Sequence, residues 1–168
     1  MKRIGLLSDT HSCHDDRYAL HFAGCDEVWH AGDVGDAALL RHLESIAPVF
    51  RGVRGNIDHG DVARRLPEMQ RFRVEDVNVL LTHIAGYPGR YSPGFSKVLD
   101  AGRPRLLVAG HSHILKVMSD PARDLLYINP GAAGNQGWQK VRTLVRFIID
   151  GADIRNLEVI ELGKSISL

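Results

Sequence analysis

The chain is poor in the features that would place it in several large classes of protein. It has two cysteines, Cys13 and Cys25, in 168 residues. A pair in a chain this long does not build a disulfide framework. It has no stretch approaching the ~20 apolar residues of a membrane span. The start, MKRIGLLSDTHS, offers basic residues and a short apolar run, but that run meets Asp9 at once and is too short for a signal core. Charge of one sign is also missing. The formal net charge is +1, so the chain as a whole presents no strong field to nucleic acid or an anionic membrane. Arginine outnumbers lysine, yet the arginines are scattered, which suits contact with a few phosphates and not a general polyanion surface. Linkers, repeats and low-complexity segments are absent. These absences lead us to expect a cytoplasmic protein.

What is present is enough apolar sequence for a core: hydrophobic residues make up 44%, too many for a disordered chain. The length suits one domain, expected over 1–168. Arg3 to Ser8 reads as a strand ending at Asp-Thr-His, Asp15 to Ala23 as a helix with Asp15 or Asp16 near its cap, and Glu27 to His30 as a second strand. Asp36 to Ile46 is an amphipathic helix with Leu39, Leu40, Leu43 and Ile46 on one face, and Pro48 to Val53 is a third strand. This βαβαβ order predicts parallel strands with right-handed crossovers. Met69 to Val74 and Val77 to Thr82 bracket Glu75-Asp76 as a hairpin. A Gly/Pro-rich loop, Ala85 to Gly94, leads to a helix with Ser92-Pro93 as its cap and first turn, running to about Ala101. Arg105 to Ala109 is a further buried strand. The last third is β-rich, with strands at Ile114–Met118, Leu125–Ile128, Val141–Ile149 and Ile154–Ile160. An α/β half followed by a β-rich half predicts two packed sheets flanked by helices.

In open α/β sheets, sites lie beyond the carboxyl ends of the strands. Here five predicted strands stop at hard or borderline metal ligands: Asp9 and His11, then Asp33, Asn56, His83, and finally His111 with His113. In a strand-like segment, residues i and i+2 share a face, so Asp-x-His and His-x-His can each aim two ligands into one cavity. Taken singly each residue has a plainer reading. Asp36 is a helix cap, Asn56 a turn residue, His83 a satisfied buried histidine. Seven such residues at strand ends, in order, point together to metal binding.

The order Asp9-Thr-His11, Gly32-Asp33-x-x-Asp36, Gly55-Asn56, His83 and Gly110-His111-x-His113 resembles the calcineurin-like metallophosphoesterases over roughly residues 3 to 150. The short length and Asn129-Pro130-Gly131 are similar to the small bacterial and archaeal phosphodiesterase branch. The resemblance implies a four-layer α/β/β/α sandwich of two mixed sheets, and two adjacent divalent transition ions. One would be held by Asp9, His11, Asp33 and His113, the other by Asp33, Asn56, His83 and His111, with Asp33 bridging. Asp33, Asn56 and His111 would serve catalysis. Manganese is the family habit; mixed N/O ligands also suit Fe, Co, Ni or Zn. Two divalent ions against two aspartates, less a bridging hydroxide, leave about one positive charge to attract a small phosphate ester.

The chain departs from the family pattern in two places. Ile57 follows Asn56 where many relatives place a histidine, and isoleucine neither donates nor accepts a proton. Of its neighbours, Asp58 reads as a residue orienting a ligand and His59 as a surface residue. After His83 the chain reads Ile84-Ala85-Gly86 instead of Gly-His, which leaves Gly86 to Tyr91 as either a substrate-side or a plain surface loop. His30 reads as support for the ligands or as core beneath them. Cys13 is not read as a ligand, and His14, His21 and His42 read as surface or helix residues. The functional expectation is a phosphodiesterase. A phosphomonoesterase with the same site and a non-catalytic scaffold of the same fold are the alternatives, and the full ligand set favours an enzyme. An amidohydrolase barrel, which also uses His-x-His, needs ~200 residues or more. Self-association is left open.

Overall fold

The computed structural model describes residues 1–164. Its elements are β1 (Lys2–Leu7), α1 (Arg17–Phe22), β2 (Glu27–His30), α2 (Ala37–Glu44), β3 (Val49–Gly52), α3 (Gly60–Arg65), β4 (Met69–Val74) and β5 (Val77–Thr82). They continue with β6 (Gly86–Tyr87), β7 (Arg90–Tyr91), α4 (Phe95–Gly102), β8 (Leu106–Val108), β9 (Leu115–Asp120), β10 (Leu125–Pro130), β11 (Val141–Asp150) and β12 (Asp153–Lys164).

Two five-stranded sheets carry the fold, in the orders β12-β11-β1-β2-β3 and β4-β5-β8-β10-β9. In the first, β1, β2 and β3 run parallel, as the βαβαβ pattern requires, while β11 pairs antiparallel with β1. In the second, β5, β8 and β10 are parallel and β4 and β9 form antiparallel edges. The central strands are buried on both faces, which is why the inner part of β1 and the whole of β8 read as continuous apolar runs and not as alternation. Between the sheets lie Ile4, Leu6, Trp29, Val79, Val108, Ile128 and Phe147. Tyr18 and Phe22 of α1 and Leu39, Leu40 and Leu43 of α2 cover the outer face of the first sheet. Phe95 and Leu99 of α4 cover the second, against Leu80, Leu107 and Tyr127. The result is the expected α/β/β/α sandwich.

Several local expectations are corrected. The helix after Ser92-Pro93 begins at Phe95, because Gly94 sits in the left-handed region (φ 77°) and ends a turn closed by Phe95 N donating to Ser92 O. The helix α1 is shorter than Asp15 to Ala23; Asp15 lies ahead of it and accepts from Arg17 N at 3.0 Å. Helix α3 was not foreseen, since Val62 is its one buried apolar residue and gives no periodic stripe. The 85–94 loop contains the small β6–β7 hairpin. Strands β9 and β12 run on to Asp120 and Lys164 because each has a partner strand there that no local pattern reveals. Both cysteines are free.

Candidate metal centre

The carboxyl ends of β1, β2, β3, β5 and β8 meet at one end of the sandwich, and their connecting loops bring all seven candidate residues together. The donor atoms of Asp9, His11 and His113 lie within 4.8 Å of one another, as do those of Asp33, His83 and His111. Asp33 stands between the groups: its Oδ2 is 3.4 Å from His11 Nε2 and 3.3 Å from His83 Nε2. Asn56 joins the second group through Oδ1, 3.0 Å from His83 Nε2. On the other side, His113 Nε2 is 3.2 Å from Asp9 Oδ1.

The expected reason for this convergence, pleat alternation at i and i+2, does not hold. Asp9, His11, Asp33, His111 and His113 lie beyond the strands with left-handed backbones, φ between 46° and 71°. Each such residue costs of order 1–3 kcal/mol and persists where its surroundings over-determine it. The turn sends the two histidines of His111-x-His113 to different groups. Gly55 shows how tight the surroundings are. A Cβ there would collide with the carboxylate and backbone nitrogen of Asp33, so glycine is required for β3 to deliver Asn56.

Hydrogen bonds settle which nitrogen each histidine presents. His83 Nδ1 is 2.7 Å from Ala31 O, and a carbonyl only accepts, so Nδ1 carries the hydrogen. His83 Nε2 then turns a lone pair toward two acceptors, Asp33 Oδ2 and Asn56 Oδ1. His113 repeats the design: Nδ1 donates to Gln139 Oε1 at 2.9 Å, and the Gln139 amide is oriented because its Nε2 donates to Gly134 O and Gln136 O. Lone pairs facing acceptor oxygens repel unless a cation lies between them. Asp9 Oδ1 and His11 Nε2 are in addition buried without any hydrogen-bond partner among the described residues, a state that costs ~1–3 kcal/mol per group or more. The donor set therefore fits divalent cations: the atoms left unsatisfied are the ones that converge.

The metal-free electrostatics agree. The Asp9 carboxylate beside it raises the His113 pKa against burial. Burial lowers that of His83, but the nearby Asp33 and Asp9 carboxylates reverse the sign and leave it raised. Burial lowers that of His11, and the nearby carboxylates do not make up the difference. For Asp33, burial pushes upward, while the His83 hydrogen bond and the Ile57 N–H prevail and hold it low.

A supporting ring of residues holds the loops. Asp58 accepts from Val34 N, Gly35 N and Gly55 N at 3.1, 2.9 and 2.8 Å. It clamps the loops carrying Asp33 and Asn56. Asp9 Oδ2 accepts from Ser8 Oγ at 2.6 Å and from His111 N at 3.1 Å, which leaves Oδ1 to face inward. Asn129 ties Gly110 O to the next loop. Asp36 caps α2 by accepting from Leu39 N, and also meets His14. His59 is exposed, with Nδ1 2.9 Å from Ile57 O, as a surface residue should be. Cys13 lies near Arg142 and outside both groups. Sequence reasoning missed Gln139. It lies 26 residues from its partner His113 in a loop without periodicity, and only the folded chain brings it there.

His30 is fully buried beneath the site. Its Nδ1 must accept, since Gly32 N–H donates to it at 3.1 Å, so Nε2–H faces Thr10 Oγ1 at 3.0 Å. Burial lowers its pKa to about 4, against the pull of Asp58 and Asp9. The folded value lies below the unfolded 6.5, so the unfolded chain binds the proton first. Stability is complete above pH 6.5 and falls as pH drops toward 4, by at most about 1.4 kcal/mol per pH unit from this group. Imidazole NMR of the metal-free protein should show His30 as the neutral Nε2–H tautomer down to about pH 5. A midpoint near 6.5 would refute the buried, neutral assignment.

Fold and site together define a sandwich phosphoesterase with a metal-binding pole. A family model for the calcineurin-like phosphoesterase superfamily domain matches residues 1–152, and the chain belongs to that family of metal-dependent phosphoesterases. It is 30% identical over 135 residues to a probable metallophosphoesterase of Methanothermobacter thermautotrophicus, covering 77% of this chain and 76% of that protein. Among solved structures it is similar to an archaeal phosphodiesterase, with a TM-score of 0.74, 19% identity, and 95% and 99% of the two chains covered. It is equally similar in fold to Chaetomium thermophilum Vps29, with a TM-score of 0.74, 18% identity, and 98% and 97% covered. A Vps29 from Entamoeba histolytica, solved with Zn2+, gives a TM-score of 0.72 at 14% identity, with 95% and 98% covered. At these identities the solved structures share the fold alone.

Proposed function

We propose that the chain is a dinuclear-metal-dependent phosphodiesterase, a single domain over 1–168 that acts in the cytoplasm on a small phosphate ester. The observation that carries the reading is the position of Asp33 Oδ2 between His11 Nε2 and His83 Nε2, where one carboxylate serves both donor groups. Asp9, His11, Asp33 and His113 would hold one ion, and Asp33, Asn56, His83 and His111 the other. Two bound ions, manganese by family habit or Fe, Co, Ni or Zn, would supply Lewis acidity to the phosphoryl oxygens and acidify a water for in-line attack.

The chain's own residues do the rest. Asp33 keeps the two halves of the site in register, with its Oδ1 fixed by the Ile57 N–H at 3.1 Å. Asn56 is exposed, and with Oδ1 directed at His83 its Nδ2 hydrogens are available to a phosphoryl oxygen. His111 is exposed at the mouth, beside the His83 ring at 5.2 Å between centroids, and positions the same oxygen.

The test is stoichiometry with turnover. Metal-stripped protein titrated with Mn2+ should take up two ions per chain, and hydrolysis of bis-p-nitrophenyl phosphate should appear with them and vanish on chelation. Uptake of no tight divalent ion would sink the proposal. Two ions without hydrolysis of any phosphate ester would favour the scaffold reading, and a preference for p-nitrophenyl phosphate the monoesterase.

A further inference from the structure

We infer that the cavity beside Asn56 and His83 binds one ester substituent of the substrate, and that this substituent is a flat aromatic group. The inference rests on the phosphodiesterase reading above and adds the class of substrate to it. The cavity measures about 370 Å³, within the range of small-ligand sites. It shares Asn56 and His83 with the donor cluster, so a phosphorus held there has this space directly alongside. The other described cavities are lined away from the cluster, for example between Arg105, Asp124 and Asp153.

The lining sets the chemistry. Met69, Ile84 and Phe95 make the wall apolar. Ile84 is 44% exposed, a large aliphatic side chain left in water one residue from His83, where it has a use if a ligand covers it. The Met69 thioether and the Phe95 ring suit an aromatic partner. At the mouth, the Arg54 guanidinium is held by Ala63 O at 3.1 Å and by Glu68 at 2.7 Å. The bond to Ala63 O leaves a planar cation that can stack on a ring, its charge partly offset by the exposed Glu68. A diester can place one substituent here while its leaving group departs on another side.

The experiment compares three diesters with the same leaving group in the metal-loaded enzyme: p-nitrophenyl phosphate carrying a methyl, a phenyl or a 5′-thymidyl arm. The aromatic arms should be favoured over methyl by about 10-fold or more in kcat/KM, mainly through KM. A higher value for thymidyl than for phenyl assigns the arm to a nucleoside; the reverse assigns it to a simple aryl group. Met69→Ala and Ile84→Asp should each shrink the aromatic-to-methyl ratio several-fold, and Trp138→Ala, altering a fully exposed ring on the opposite flank beside Gln139, should not. Equal rates for all three esters would overturn the inference. So would a ratio that collapses in Trp138→Ala and survives in Met69→Ala. A readout independent of turnover separates this inference from the functional reading. Phenylphosphonate, and not methylphosphonate, should shift the methyl NMR signals of Ile84 and Met69. Shifts without hydrolysis of any diester would leave the cavity assignment standing and remove the enzyme; hydrolysis without shifts would do the opposite.

Discussion

Asp33→Asn should lower hydrolysis of bis-p-nitrophenyl phosphate by about 10³-fold, while His59→Ala should change it by less than about threefold. Asp33 is buried, and its Oδ2 lies within 3.4 Å of histidine nitrogens from both donor groups. Asparagine keeps the shape, but it removes the negative charge and places an amide that can donate where two nitrogen lone pairs converge. Both ions should bind more weakly, so titration with Mn2+ should show reduced affinity alongside the lost rate. His59 points its Nδ1 back to Ile57 O in an exposed turn and touches none of the seven donors. Equal losses in the two variants would show that His59 reaches the substrate and that its peripheral placement is wrong.

Rates should also depend steeply on the leaving group. Aryl phosphodiesters graded in phenol pKa should span at least about 10²-fold between p-nitrophenolate and unsubstituted phenolate, because general acid help is typically worth about 10²–10⁴-fold and the residue after Asn56 cannot supply it. Ile57 is aliphatic. Asp58, next in sequence, spends both carboxylate oxygens on three backbone N–H groups. Alkyl esters should be slower still. With chemistry limiting at saturating metal, a flat series would mean that a proton donor exists, and His59→Ala would then steepen it. If the series is steep, Ile57→His should flatten it.

The two experiments probe different parts of what was legible beforehand. The convergence of the seven candidate donors at one pole was readable, because each of them follows closely on a short, largely apolar strand. A hydroxyl residue and then a charged or imidazole side chain, Ser8-Asp9 after β1 and Thr82-His83 at the end of β5, marks the edge. The β4–β5 hairpin and its Glu75-Asp76 turn were readable for a similar local reason, and their register follows with Val74 opposite Val77. Helix α3 and the β6–β7 hairpin were not, since neither carries an apolar period and both depend on what they pack against. Gln139 and Ser8 are likewise invisible as supports, because a single hydrogen bond to a distant loop leaves no periodic trace.

By itself, then, the sequence determined which side chains crowd the pole of the sandwich and which family they resemble. Both are properties of local pattern and order along the chain. Only the tertiary structure decided how those side chains divide. The left-handed turns at Asp9, Asp33, His111 and His113 part His111 from His113 and leave Asp33 shared. Only the fold orients His83 and His113 through Ala31 O and Gln139, and only the fold opens the cavity against Asn56. These depend on the backbone direction of loops from both sheets meeting in space, and strand periodicity carries no information about the angle at which a chain leaves its sheet.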